Sequence, residues 1–287
     1  HKPPFDPSTS AALAKLDAML GLAAVKAAVQ NLATLAAENL KSEEAGEDVT
    51  PVSLHRIFLG NPGTGKTTVA TLYGKLLAEM GYLSNGEVIV KGASALTGAH
   101  VGSTAKIVND LLDSIAGKVL VIDEAYVLAD SQYGREALDV LVERVQGNDD
   151  FAVILCGYND PIRKMLKDCN PGLERRFKLA DAFLFEDYSD AELQQIMQSM
   201  AAGMGLLVTS DVAAAVVRKV LAKQRTKPNF GNAGSVKNIL ERAKERLMGR
   251  ADRHKENGKW LVLEQDMMNT HKPPFDPSTS AALAKLD

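Results

Sequence analysis

The chain is poor in the residues that would place it in a specialised class. Only two of its 287 residues are cysteines, Cys156 and Cys169, and their spacing matches no metal-binding motif. We therefore expect two reduced thiols, in a cytoplasmic protein or, as the alternative, a nuclear one. No apolar run approaches the ~20 residues that cross a membrane, and the first residues, with a lysine, two prolines and an aspartate, do not resemble a signal peptide. Neither a membrane protein nor a disulfide-stapled domain is expected.

An excess of positive charge is also missing. Lysine and arginine total 33 against 36 aspartates and glutamates, which gives a net charge of -3. Proteins that grip nucleic acid through much of their surface carry a basic surplus. The lysines and arginines scattered over residues 237–253 are expected on the solvated face of a helix. Nucleic acid is thus not an expected partner.

The chain ends by repeating its own start. The seventeen residues HKPPFDPSTSAALAKLD begin at His1 and again at His271 without one substitution, an offset of 270 residues. A unit of that length exceeds the ~100 to 200 residues usual for one domain, so one large or two coupled domains are expected. We interpret the second copy as the start of a following module in a tandem array; the alternative is that the duplication is not native.

Apolar runs of strand length alternate with helical patterns in the first two thirds of the chain. The runs are LHRIFL, GEVIVKG, KVLVID and FAVILCG, at residues 54–59, 86–92, 118–123 and 151–157. They fit strands buried on both faces of a parallel sheet, and the alternation predicts an α/β fold. Beyond Tyr188 helical patterns dominate, beginning with a capping box at Ser189–Glu192. A small helical domain is expected there.

The strongest motif is GNPGTGKT, Gly60 to Thr67, which stands between the first strand and a helical pattern. It matches the P-loop, in which glycines let backbone amides wrap phosphates and the helix N-terminus adds positive charge. Lys66 should meet the β and γ phosphates, and Thr67 the Mg²⁺ ion. The alternative is a glycine-rich turn of another kind. Such a turn would need neither a strand before it nor a helix after it, and this motif has both.

Two acids close the third strand, VLVIDEA. The carboxyl ends of strands form the ligand-binding edge of an open α/β sheet. In a P-loop protein Asp123 would complete the magnesium shell, and Glu124 would polarise the attacking water. A solvated strand end is the alternative reading, which the P-loop upstream disfavours.

Two later stretches are open to two interpretations each. In CGYNDP, Asn159 can hold the water or the γ-phosphate, or it can be a turn residue before Pro161. In NPGLERRF, Arg175 and Arg176 are either surface charge or the arginine that one subunit supplies to another during phosphoryl transfer.

The stretches LHRIFLGNPGTGKTTVA, VLVIDEAY, ILCGYND and NPGLERRF together resemble the CbbX family of AAA+ ATPases, which includes red-type Rubisco activases and relatives of stage V sporulation protein K. The resemblance covers about residues 16 to 250. It implies a P-loop AAA+ domain, with a parallel sheet flanked by helices, and a small C-terminal helical lid domain. It also implies an ATPase that uses ATP and Mg²⁺ in a ring, usually a hexamer.

Residue roles follow from the resemblance. Arg176 would be the arginine finger, with Arg175 as the less favoured choice; Asn159 would be sensor 1; Gly21 and Leu22 would lie near the adenine. The expected catalytic set is Lys66, Glu124, Asn159 and Arg176, the metal set is Thr67 and Asp123, and the nucleotide set is Gly21, Leu22, Gly60, Asn61, Pro62, Gly63, Thr64, Gly65, Lys66, Thr67 and Thr68.

The chain departs from the family at two positions. The loop after the second strand, LTGAHVG, has Ala99 and His100 where the family has an aromatic residue that grips polypeptide in the pore. GNAGSVKN has Gly234 where the family has the arginine that reads the γ-phosphate; Lys237, one turn later, is the candidate substitute, although it lacks the fork of arginine.

These patterns predict four segments: a linker and first helix at 1–20, the AAA+ domain at 21–187, the lid at 188–262, and a linker with the repeat at 263–287. The leading hypothesis is an Mg-ATP-dependent motor that remodels a protein client, with contacts between ring subunits or tandem modules. The alternative is a structural module that uses ATP between subunits and hydrolyses it weakly or not at all.

Overall fold

The computed structural model describes residues 5–100, 102–145 and 150–268, so the second copy of the repeat lies outside the described residues. The chain divides into two compact units, one ending at Asp187 and the other beginning at Tyr188. No helix among the described residues is both long and apolar enough to cross a bilayer.

The first unit is built on a five-stranded parallel sheet in the order β2-β3-β4-β1-β5. The strands are β1 Arg56–Gly60, β2 Val88–Gly92, β3 Lys118–Asp123, β4 Phe151–Gly157 and β5 Phe183–Phe185. The four strands predicted from apolar runs are confirmed. The edge strand β5 was not predicted, because its three residues are too few to display a period.

Helices flank this sheet. They are α1 Ala11–Asp17, α2 Ala23–Ala45, α3 Lys66–Glu79, α4 Ser103–Asp113, α5 Gln132–Arg144, α6 Asn159–Asp168 and α7 Pro171–Arg176. A break at Gly21 and Leu22 separates α1 from α2: both residues adopt left-handed backbone conformations, with φ of 62° and 61°. A left-handed residue cannot continue an α-helix, so the chain turns there.

Alternate residues of each central strand enter two separate cores. In β1, Ile57 and Leu59 pack on one face of the sheet with residues of α4 to α7, whereas Phe58 packs on the other with residues of α1 to α3. The ring of Phe58 stacks on Phe183 of β5, with 5.1 Å between centroids. Both faces are therefore buried, as the continuous apolar strands require.

The second unit contains helices and a small sheet. Its helices are α8 Asp190–Gly203, α9 Ser210–Val216, α10 Ala222–Arg225, α11 Asn232–Gly249 and α12 Glu264–Met268, and a π-helical turn spans Val217–Leu221. The capping box at Ser189 and Glu192 is confirmed. The strands β6 Leu206–Leu207, β7 Lys255–Glu256 and β8 Lys259–Leu261 form a sheet in the order β6-β8-β7.

A buried ion pair joins α12 to the end of α11 in the second unit. Asp266 is fully buried, and its Oδ2 lies 3.2 Å from Nη1 of Arg250. The same oxygen accepts a hydrogen bond from the backbone N–H of Leu263 at 2.8 Å, and Arg246 donates to the carbonyl of Asp266 at 2.7 Å. These contacts hold the last described helix against α11.

Candidate nucleotide-binding site

The strand order brings three motifs to one edge of the sheet. The loop that contains Gly60–Thr67 leaves the carboxyl end of β1, Asp123 ends β3, and Asn159 follows β4. Because β4 pairs with both β1 and β3, Asn159 leaves the sheet between the other two motifs. Parallel strands place their carboxyl ends at the same edge, where open α/β sheets bind ligands.

The backbone of the P-loop depends on glycine. Gly65, which precedes the first residue of α3, has a φ of 97°, and Gly63 has a φ of 69°, conformations that side chains disfavour. At Gly60 a Cβ atom would collide with the backbone carbonyl of Phe185 on β5. The loop therefore lies close against the sheet and leads directly into the N-terminus of a 14-residue helix, where phosphate groups bind in proteins of this kind.

Lys66 is held inside this loop. Its Nζ donates to the carbonyl oxygens of Gly60 at 2.8 Å and Asn61 at 2.7 Å. Partial burial lowers the pKa of the amine, an effect that the negative charge of Asp123 opposes. The ammonium is thus kept beside the loop by carbonyls that phosphate oxygens can replace, within electrostatic range of the acid that ends β3. A cradle with this shape and charge fits a nucleotide phosphate group.

The other loop residues contribute shape. Thr64 is fully buried, and its hydroxyl donates to the carbonyl of Asn61 at 2.8 Å. The amide of Asn61 donates to the carboxylate of Asp187 at 2.9 Å and 3.1 Å. Pro62 is exposed at the turn, and Thr67 and Thr68 lie exposed in the first turn of α3. Its exposure leaves Thr67 accessible to a ligand at the start of α3.

The two acids of β3 differ in conformation. The carboxylate of Asp123 is exposed and accepts a hydrogen bond from the backbone N–H of Glu124 at 3.0 Å. Glu124 has a left-handed φ of 49°, which is costly for a residue with a side chain. Its Oε1 accepts a hydrogen bond at 3.2 Å from the hydroxyl of Tyr126. The sequence reasoning did not identify Tyr126, because nothing in VLVIDEAY shows that its ring turns back toward Glu124.

The side chain of Asn159 is also oriented by a neighbour. Asn159 is the first residue of α6, and its Oδ1 accepts a hydrogen bond from Nε of Arg163 at 2.7 Å. With the oxygen engaged, the amide N–H₂ group is left to donate. Sequence reasoning missed Arg163, although its position four residues further along a helix places it on the same face.

Arg176 is not brought to this edge. It ends α7, and its Nη1 donates to the carbonyl of Gly172 at 3.1 Å. The next residue, Phe177, packs its ring 5.8 Å from the ring of His55, which immediately precedes β1. Arg176 therefore lies near the amino end of β1, whereas the P-loop leaves the carboxyl end. Arg175, the alternative, is exposed.

The remaining candidates belong to other segments of the chain. Gly21 and Leu22 form the bend between α1 and α2, and Leu22 is buried. His100 is exposed in the loop before α4, where its carbonyl accepts a hydrogen bond from the Ser103 hydroxyl at 2.5 Å. In the second unit, Gly234 has open space around it. Lys237 there is exposed and lies 3.8 Å from Glu241 on the same helix.

Comparisons with known proteins agree with this architecture. Residues 56–178 match the ATPase family associated with various cellular activities (AAA), and residues 189–274 match an AAA lid domain. The AAA domain of FIGL-1, solved in complex with ADP, superimposes with a TM-score of 0.58 over 93% of this chain and 89% of that one. Only 17% of the residues are identical, so that similarity concerns the fold.

Two curated proteins are similar over most of their lengths. Protein CbxX, chromosomal, of Cupriavidus necator is 38% identical over 244 residues, which cover 83% of this chain and 76% of that protein. Stage V sporulation protein K of Bacillus subtilis is 33% identical over 264 residues, which cover 88% of this chain and 80% of that protein. The chain, with its P-loop, its strand-end acids and its lid, therefore belongs to the CbbX family of AAA+ ATPases.

Proposed function

We propose that this ATPase binds and hydrolyses Mg-ATP as a subunit of a ring, a hexamer, that remodels a protein client. The proposal of a ring of subunits rests on the position of Arg176. Five residues of β1 extend for about 13 Å from the His55 end to the P-loop. Arg176, one residue before the ring that packs near His55, would not reach phosphates at the opposite end of β1, so it would serve the ATP bound by another subunit or by the next tandem module.

At the proposed site, each group has one role. Lys66 and the backbone N–H groups of the loop, which Pro62 alone lacks, would bind the phosphates, and Gly21 with Leu22 would contact the adenine. Thr67 and Asp123 would hold Mg²⁺, which usually takes one or two protein oxygens and completes its shell with phosphates and water. When bound, the ion would neutralise charge on the transferred phosphoryl group.

Water activation would fall to two side chains at the ends of β3 and β4. Glu124 would accept a hydrogen bond from the attacking water, and Asn159 would donate its amide N–H to that water or to the γ-phosphate. The Arg163 hydrogen bond supports this donor role, because it occupies the amide oxygen of Asn159.

The client would enter a central pore lined by the loop that carries His100. An imidazole is smaller than the aromatic residue of the family, yet it stacks and forms hydrogen bonds. On this ground we propose a polypeptide client. We also propose a cytoplasmic location.

Subunit mixing tests the ring. Lys66→Ala and Arg176→Ala proteins should each lose at least ~100-fold in kcat. In a 1:1 mixture, a site that keeps Lys66 can meet a neighbour that keeps Arg176, so roughly a quarter of the sites regain both groups. ATPase activity should therefore recover toward that fraction.

The matched control mixes Lys66→Ala with Glu124→Gln, two changes that would affect the site of one subunit only. This mixture should stay inactive. Native mass spectrometry would first show that mixed rings form. If the Lys66→Ala and Arg176→Ala mixture is then as inactive as the control, the proposal of a site shared between subunits is wrong.

A second candidate function, a nucleotide-dependent structural module, is favoured by one observation in the lid. Gly234 replaces the family arginine, and Lys237 lies beside Glu241. A wild-type protein that binds ATP tightly but turns it over less than about once per hour, where enzymes usually manage per-second rates, would support this candidate against the motor.

A further inference from the structure

Two tyrosines stand behind the proposed water-activating acid. Tyr126 lies in the 3₁₀ turn Ala125–Asp130 that follows β3, and its hydroxyl donates to Oε1 of Glu124 at 3.2 Å. Its ring packs at a tilt against that of Tyr158, with 5.7 Å between centroids. Tyr158 directly precedes Asn159, so the pair connects the ends of β3 and β4.

A glycine makes room for the ring of Tyr126. A Cβ atom added to Gly157, the last residue of β4, would lie 2.8 Å from Cδ1 of Tyr126 and equally close to Ile162. Real Cβ atoms do not approach carbon so closely, so a side chain at this position would displace the ring. Gly157 and Tyr158 thus hold Tyr126 against the end of β4.

The hydroxyl of Tyr126 remains a donor at neutral pH. Partial burial, and then the negative charge of Glu124, raise the pKa of this phenol to about 12. A protonated phenol that faces a carboxylate is the hydrogen-bond donor, and the carboxylate oxygen is the acceptor. The hydroxyl of Tyr126 is therefore the donor in this contact, and the carboxylate of Glu124 is the acceptor.

Glu124 needs such support because its backbone is strained. Its φ of 49° lies in the left-handed region, which is costly for residues other than glycine and is maintained only when the surrounding structure stabilises it. Two hydrogen bonds fix its backbone: its N–H donates to Oδ1 of Asp123, and its carbonyl accepts from the N–H of Val127 at 2.9 Å. The hydroxyl of Tyr126 fixes the other end of the residue, its carboxylate.

We infer that Tyr126 is a positioning residue for Glu124: its hydroxyl holds one carboxylate oxygen so that the other faces the attacking water. The inference rests on the proposed role of Glu124. Tyr126 does not touch the nucleotide in this scheme, so its removal should affect the chemical step and leave ATP binding unchanged.

Tyr126→Phe in the full chain is the direct test, since it removes one oxygen and keeps the ring. We expect kcat to fall about tenfold while KM, the Kd for ATP and the melting temperature stay within twofold or a few degrees of wild type. The same substitution at Tyr133, a half-buried tyrosine of α5, is the control, and it should keep the wild-type kcat.

A double-mutant cycle separates positioning from a general structural effect. In the Glu124→Gln protein, measured by single-turnover hydrolysis, Tyr126→Phe should change the residual rate by less than about twofold, because the group it positions is already lost. A tenfold fall in both backgrounds, a rise in KM without a fall in kcat, or a wild-type kcat in Tyr126→Phe would each overturn the inference.

The same data distinguish this inference from the proposed function. If Glu124→Gln hydrolyses ATP at the wild-type rate, the role of Glu124 is wrong and the inference falls with it. If Glu124→Gln is inactive while Tyr126→Phe matches wild type, only the positioning role of Tyr126 is wrong.

Discussion

The neutral form of His55 should make the stability of the first unit depend on pH. Its Nδ1 accepts a hydrogen bond from the backbone N–H of Val153 on β4 at 3.0 Å. Its ring lies between those of Phe151 and Phe177, with centroids 6.0 Å and 5.8 Å away. Burial and then the charge of Arg56 lower its pKa from 6.5 to about 4. Protonation would remove the acceptor and place a charge among aromatic rings.

The sign and the magnitude follow from linkage. The unfolded chain binds the proton first, because its histidine has the higher pKa, so the contribution of His55 is present above pH 6.5 and is lost as the pH falls toward 4. The whole shift corresponds to at most about 3 kcal/mol, of which about 2 kcal/mol would be lost between about pH 7 and about pH 5.

Urea unfolding of wild type and His55→Asn at those two pH values measures this contribution. The amide oxygen of asparagine keeps an acceptor for the Val153 N–H but does not titrate. It loses the ring contacts, so the variant should be about 1 kcal/mol less stable than wild type near neutral pH. The free energy of unfolding should then fall by about 2 kcal/mol less in the variant than in wild type on acidification. An equal fall in both proteins would refute the reasoning.

Other predictions concern two contacts and one open position described above. Asp266→Asn removes the buried carboxylate from the guanidinium of Arg250 and leaves it, among the described residues, only the exposed Asp252, whose Oδ1 lies 3.4 Å from its Nε, so the second unit should lose about 3 kcal/mol in denaturant unfolding; unchanged stability would show that the buried pair is replaceable. Arg163→Ala frees the amide of Asn159 to rotate, so kcat should fall several-fold at unchanged ATP affinity, measured by steady-state kinetics and calorimetry; a change in affinity alone would contradict the orientation argument. Gly234→Arg fits the open space at that position and should stabilise α11 by about 0.5 kcal/mol; a lower melting temperature would show that the space is not available.

Motifs that are contiguous in the chain could be recognised without a structure. GNPGTGKT and VLVIDEA carry their own strand and turn signals, so Lys66 and Asp123 could be assigned candidate roles from local pattern alone. The capping box at Ser189 is equally local, and it is confirmed. The edge strand β5 could not be predicted, because its identity depends on pairing with β1 and not on its three residues.

The sequence by itself determined the fold class, the two-part organisation and the chemical character of the P-loop, because each rests on short-range patterns of burial and charge. Tertiary structure decided which of those groups meet. Only the insertion of β4 between β1 and β3 brings Asn159 beside Asp123, and only the packing of Phe177 on His55 separates Arg176 from its own P-loop. Such contacts join residues far apart in the chain, and strand order and side-chain packing, which no local window encodes, determine them.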